Sequence, residues 1–110
     1  MRWLNEGRGG VNGHKVELVW ADTGNVMERT WSIYNRFKQE KPTFILLYSS
    51  PDGEALKATL EKDRIPAYNH GQSDPQVYPP ATIYLDGMTY ADGFAGAMKW
   101  LKGTWKEPRP

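Results

Sequence analysis

Residues 44–56 read FILLYSSPDGEAL, five apolar or aromatic residues running straight into serine, serine, proline and aspartate. A run with no polar alternation suits a strand buried on both faces of a parallel sheet. Ser50 then suits a helix N-cap, and Pro51 the first helical turn, where the missing N–H would have no partner anyway. Ala55, Leu56, Thr59 and Leu60 follow at helical spacing and give the helix an inner face as far as Asp63 and Arg64. A strand feeding a capped helix is half of a βαβ unit, and the flanking sequence extends the pattern in both directions.

Downstream, Ile65–Tyr68 is a short apolar strand with Pro66 tolerable near its start. GQSDPQVYPP (71–80) is a loop too short for a helical crossover, ATIYLD (81–86) is a further strand, and Gly87 breaks it. Thr89 with Asp92 offers a capping box, after which Tyr90, Phe94, Ala97, Met98 and Leu101 keep helical spacing to a stop near Gly103. The tail, KEPRP, is polar and proline-rich. Upstream, Val16, Leu18 and Trp20 alternate with Lys15, Glu17 and Val19, which predicts a first strand over His14–Ala21. Asn25 with Glu28 predicts the start of a helix whose stripe runs through Trp31, Ile33, Tyr34 and Phe37 and stops near Lys41, before Pro42. Strand, helix, strand, helix, strand, strand, helix is the order of an α/β protein with a parallel sheet.

The four glycines in GRGGVNG (7–13) raise the alternative of a phosphate-binding loop. Such a loop follows a strand and opens a helix, whereas this one precedes a strand, and Asn12 stands where the dinucleotide spacing requires glycine or alanine. The glycines are therefore turn residues. The 110 residues bound a single domain, and 14 Lys and Arg against 13 Asp and Glu leave no basic surplus for nucleic acid or an anionic membrane. There is no cysteine, hence no disulfide, thiol nucleophile or thiolate metal site. MRWLNEGRGG has no apolar core of the kind a signal peptide carries.

Functional groups in a parallel sheet gather beyond the carboxyl ends of its strands. Ser49 and Ser50 lie at such an end, where hydroxyls and free helix N–H groups suit a carboxylate. Asn69, His70, Gly71 and Gln72 lie at the next and supply donors and acceptors. His70 is a candidate base, but there is no G-x-S-x-G elbow and no H-E-x-x-H pair, so neither catalytic nor metal-ligating residues and no cofactor are expected. Asp22, Asp52 and Asp86 at three strand ends leave a phosphoacceptor receiver-like domain or a small α/β enzyme as the alternative.

Taken in order, GGVNGHKVELVWADT, FILLYSSPDGEAL, EKDRIPAYNHGQSDP and PPATIYLDGMTYADGFAGAMKWL resemble the amino-terminal lobe of the substrate-binding proteins of branched-chain amino-acid-type ABC transporters, which have the type I periplasmic binding fold. GGVNG leading to Asp22, and IP followed by SDP, are the most specific elements. The resemblance implies an α/β, three-layer parallel-sheet lobe and a non-enzymatic role: clasping a small solute, an amino acid or related amide or carboxylate, between two lobes for delivery to a membrane permease. It implies a periplasmic or extracellular location for the full-length protein. Residue by residue, it assigns ligand contacts to Ser49, Ser50, Asn69, His70, Gly71 and Gln72. Where the family commonly has serine, alanine and threonine, this chain has Asn69, His70, Gly71 and Gln72, a departure that suits a larger or more polar solute.

In the family, the first strand and most of the first helix precede the position of MRWLNEGRGG, and the second lobe follows that of KEPRP. That first strand lies between the strands matching His14–Ala21 and Phe44–Tyr48. The resemblance thus reads residues 1–87 as a partial ligand-binding lobe and 88–110 as a crossover helix and tail toward a second lobe. It also makes the apolar stripe of the last helix, Phe94, Met98, Leu101 and Trp105, a surface for self-association.

Overall fold

The computed structural model describes residues 1–106. Of the tail, Glu107 to Pro110 lie outside the described residues. Three strands, β1 (Ile45–Leu47), β2 (Ala67–Asn69) and β3 (Ile83–Leu85), form a parallel sheet in the order β1-β2-β3. Three helices accompany them: α1 (Met27–Gln39), α2 (Ser50–Asp63) and α3 (Tyr90–Thr104). Ile45, Ala67 and Ile83 stand side by side in register, as do Leu46, Tyr68 and Tyr84. This is an α/β architecture built on an open parallel sheet, the class the sequence pattern leads one to expect.

The core forms where α1 and α2 meet one face of the sheet. Leu56 and Leu60 from α2, Tyr34 from α1, and Ile45, Ala67 and Ile83 from the strands make one buried cluster, with Trp31 and Ile65 packed against it. Each fully buried leucine contributes about 1.5–3 kcal/mol of transfer free energy. Asp63, at the end of α2, accepts a hydrogen bond from Tyr34 Oη (2.7 Å) and pairs with Lys38 Nζ (2.6 Å), which ties α1 to α2. The lysine contact and then the phenol contact hold the Asp63 carboxyl below the ordinary carboxylate range. Burial, with Asp63 adjacent, pushes the Tyr34 phenol well above its ordinary value.

Several local expectations are corrected. Phe44–Tyr48 is not covered on both faces: Ile45 is buried, whereas Leu46 in β1, Tyr68 in β2 and Tyr84 in β3 form an exposed row, because α1 and α2 both lie on the other face. The cap of α2 is Ser49, one residue before the expected Ser50, and its Oγ accepts from the Asp52 N–H at 3.3 Å. Asn25 does not cap α1 either. It adopts a left-handed conformation (φ 56°) in the turn, and Val26 occupies the cap position.

His14–Ala21 forms no strand. Among the described residues nothing pairs with it as a strand, and β1 is an edge of the sheet, so its alternating residues have no ladder to join. The Asn5 side chain instead takes both backbone groups of Val16, its Nδ2 donating to the carbonyl and its Oδ1 accepting from the N–H, each at 2.8 Å. Leu18, Val19 and Trp20 remain exposed. The glycine turn forms as expected: Asn12 (φ 50°) and Gly13 (φ 81°) make a two-residue reversal, closed by reciprocal 2.9 Å hydrogen bonds between Val11 and His14. Positive φ at both central positions explains the Asn-Gly pair there.

Candidate functional site

Because the three strands are parallel, their carboxyl ends share one edge of the sheet, and each runs into a polar segment there. Leu47 leads into Tyr48, Ser49 and Ser50; Asn69 into His70, Gly71 and Gln72; Leu85 into Asp86 and Gly87. The His70 N–H donates to the Leu47 carbonyl (3.1 Å), which carries the pairing one residue past β2.

Two of the expected segments meet directly. A Cβ on Gly71 would collide with the backbone N of Ser50, the carbonyl carbon of Ser49 and the Ser50 hydroxyl, so only glycine lets this loop approach the first turn of α2. The loop after β2 therefore lies directly against the start of α2, with Gly71 itself buried between them. Beside it, a cleft of about 290 Å³ is lined by residues including Asp22, Thr23, Leu46, Tyr48, Ser49 and Asp52.

Asn69 faces inward. It is fully buried; its Nδ2 donates to the Ser49 carbonyl (2.9 Å) and to Gln76 Oε1 (2.5 Å), and its Oδ1 accepts from the Gly71 N–H (3.0 Å). Gln76, equally buried, donates through Nε2 to the Gly71 carbonyl (2.6 Å) and to Ser73 Oγ (2.8 Å). Together the two amides clasp the loop from 69 to 76 onto α2, and a Cβ on Gly53 would strike both of them. Fully satisfied buried amides of this kind fix a single loop conformation. Gln76 was missed from the sequence, where a glutamine in a proline-containing loop gives no sign of burial.

His70 and Gln72 face outward, and both converge on Asp86. Asp86 Oδ2 contacts His70 Nδ1 at 2.5 Å, and its Oδ1 accepts from Gln72 Nε2 at 2.8 Å. These contacts, His70 first, hold the Asp86 carboxyl below the ordinary carboxylate range. The His70 ring also stacks on Tyr48, with centroids 5.3 Å apart and planes inclined at 22°. Tyr48 is 80% exposed and links the cleft beside β1 to the His70 cluster. Its aromatic character at a strand end was the available signal for a role in this rim.

Of the acids behind the receiver-like alternative, Asp22 and Asp52 both line the cleft beside β1, whereas Asp86 does not, and each has a partner of its own. Asp52 is buried, and its Oδ1 accepts from Thr30 Oγ1 at 2.6 Å; Asp86 is engaged with His70 and Gln72; Asp22 accepts from the Gly24 N–H in its own turn. Among the described residues no group of three His, Asp or Glu side chains is arranged to hold a metal ion.

With hydroxyls, a helix start and an ordered polar loop on one strand edge, the arrangement suits holding a small polar molecule. A family model described as a periplasmic binding protein matches residues 1–109. The chain belongs to the periplasmic binding protein family. It is a family of binding proteins rather than of enzymes. No curated protein and no solved structure matches the chain.

Proposed function

We propose that this periplasmic binding protein chain supplies a ligand-binding lobe of an extracytoplasmic ABC-transporter component, taking an amino acid or related small polar solute for delivery to a permease. The observation that carries the reading is the seating of Gly71 against Ser50, which brings the serine turn and the polar loop after β2 side by side at the carboxyl edge of the sheet. In this reading Ser49, Ser50 and Gln72 bind through hydroxyl, amide and backbone N–H groups, His70 through its ring, and Asn69 and the buried Gly71 by shaping the loop.

Residues 1–87 act as the ligand-binding lobe and residues 88–110 lead toward a second lobe that covers the solute. The exposed side chains of α3, Phe94 (70%) and Met98 (47%) among them, support that role and equally support self-association of the chain. A lobe that touches its solute from one side leaves the other side in water, so binding to this chain is expected to be millimolar. Amide chemical-shift mapping with a panel of amino acids and amides tests the assignment: perturbations should cluster at Ser49, Ser50, Gly71 and Gln72, and Ser50→Ala should weaken them roughly tenfold if its hydroxyl binds a charged group. A panel that leaves all four amides unmoved would overturn the reading.

A further inference from the structure

The contact between His70 and Asp86 has a chemical consequence at the far side of the imidazole ring. A carboxylate can only accept hydrogen bonds, and both Asp86 oxygens are engaged, one by Gln72 Nε2 and one by His70 Nδ1. The proton in the second contact therefore sits on Nδ1. In the neutral ring this leaves Nε2 as an acceptor, the reverse of the Nε2–H form that free imidazole side chains favour. Tyr48 stacks on the ring face, and the His70 backbone N–H donates to the Leu47 carbonyl, so both the ring plane and the root of the side chain have a partner.

We infer that Asp86 is a positioning residue that sets the His70 tautomer, and that the half-site consequently selects solutes presenting an N–H donor to His70 Nε2. The inference rests on the binding reading above and specifies the class of solute. Three features converge on a protonated nitrogen: the acceptor at Nε2, the anionic Asp86 behind it, and the exposed Tyr48 face, which attracts a cation through its ring quadrupole. Ser49 and Ser50, at the start of α2, lie within the same edge for the solute's carboxylate. A carboxylate end directed at His70 and Asp86 would meet a lone pair and a negative charge. Asp86 stands at the end of β3, the strand paired with β2, and so reaches His70 from the neighbouring loop.

The test begins without ligand. Long-range proton–nitrogen spectra of the 110-residue chain at about pH 8.5, about two units above the ordinary histidine value, should show His70 in the Nδ1–H form, and Asp86→Ala should abolish that form while the Leu56 and Leu60 signals stay in place. An Nε2–H form in the unsubstituted chain overturns the inference outright. Titration then uses L-leucine and 4-methylpentanoate, which share a skeleton and a carboxylate and differ only in the ammonium group. L-Leucine should bind roughly tenfold more tightly, as loss of one hydrogen bond to a charged group implies, and Asp86→Ala should erase the difference. Equal shifts at Ser50 and Gly71 with both compounds would keep the binding surface and overturn the donor selection. No shift at any residue of the edge would overturn both.

Discussion

Helices α2 and α3 begin alike and end in different surroundings. Each follows a parallel strand, and they run for 14 and 15 residues. Each starts with a hydroxyl that accepts from the N–H three residues on, Ser49 from Asp52 at 3.3 Å and Thr89 from Asp92 at 3.2 Å. Yet α2 buries Asp52, Gly53, Leu56 and Leu60, whereas α3 buries nothing and leaves Tyr90, Phe94, Met98 and Trp100 exposed. Local sequence thus suffices to start and sustain both helices, but burial depends on a surface to pack against. The Cα radius of gyration, 18.4 Å, records the same contrast: a folded domain of this length is expected near ~13 Å.

The largest expected effect separates the two helices by truncation. Leu60→Ala empties a fully buried position where α2 meets the sheet and should cost about 2–5 kcal/mol, the range for leucine truncation in a packed core. Phe94→Ala removes a larger side chain from α3, but an exposed one, and should stay within about 0.5 kcal/mol. Urea unfolding of the two variants measures both. A loss for Phe94→Ala comparable to that for Leu60→Ala would break the comparison, because it would mean that α3 is packed in solution, on the lobe or on a second copy.

The division between packed and open regions also marks what the sequence could disclose. The strands at Ile45, Ala67 and Ile83 and all three helices follow from apolar runs, spacing and caps, because each is specified by residues near one another. The Asn-Gly turn was legible for the same reason: its positive φ values are a local demand. His14–Ala21 carried an equally good strand pattern and failed, since a strand needs a neighbour and none among the described residues provides one. In the site, the converging loops were legible from topology. Which way each side chain pointed was not: Asn69 turned inward to Gln76, and His70 outward to Asp86, through contacts 7 and 16 residues apart. Nor could the pattern tell Ser49 from Ser50 as the cap, since adjacent serines offer the same chemistry in either frame.

A finer version of the comparison replaces the two caps, hydroxyls that each accept from the N–H three residues on. Ser49→Ala should lower global stability by about 0.5–2 kcal/mol, the usual cost of a lost N-cap, because α2 unfolds only with the core. Thr89→Ala removes an equivalent contact from α3. Its cost should appear as faster amide exchange in the first turns of α3, with little change in the urea midpoint, as expected for a segment that opens locally. Equal midpoint shifts in the two variants would show that α3 unfolds cooperatively with the sheet.

The smallest expected effect lies inside the packed half, at the contact of Tyr34 and Lys38 with Asp63 that joins α1 to α2. Asp63 is held below its ordinary range, so its contribution is present above the unfolded carboxylate value, about 3.9, and is lost as pH falls through the lower folded value. Tyr34 is shifted the other way. Its folded value lies above the ordinary phenol value of about 10, so its contribution is complete below that pH and fades as pH rises beyond it, because the unfolded phenol ionises first. Urea midpoints measured against pH should therefore decline on both sides. Tyr34→Phe keeps the buried ring, removes the phenol, and should flatten the alkaline decline while softening the acid one, since Asp63 loses one of its two partners. An alkaline decline as steep in Tyr34→Phe as in the unsubstituted chain would show that the α1–α2 contact is not where the packed half responds to base.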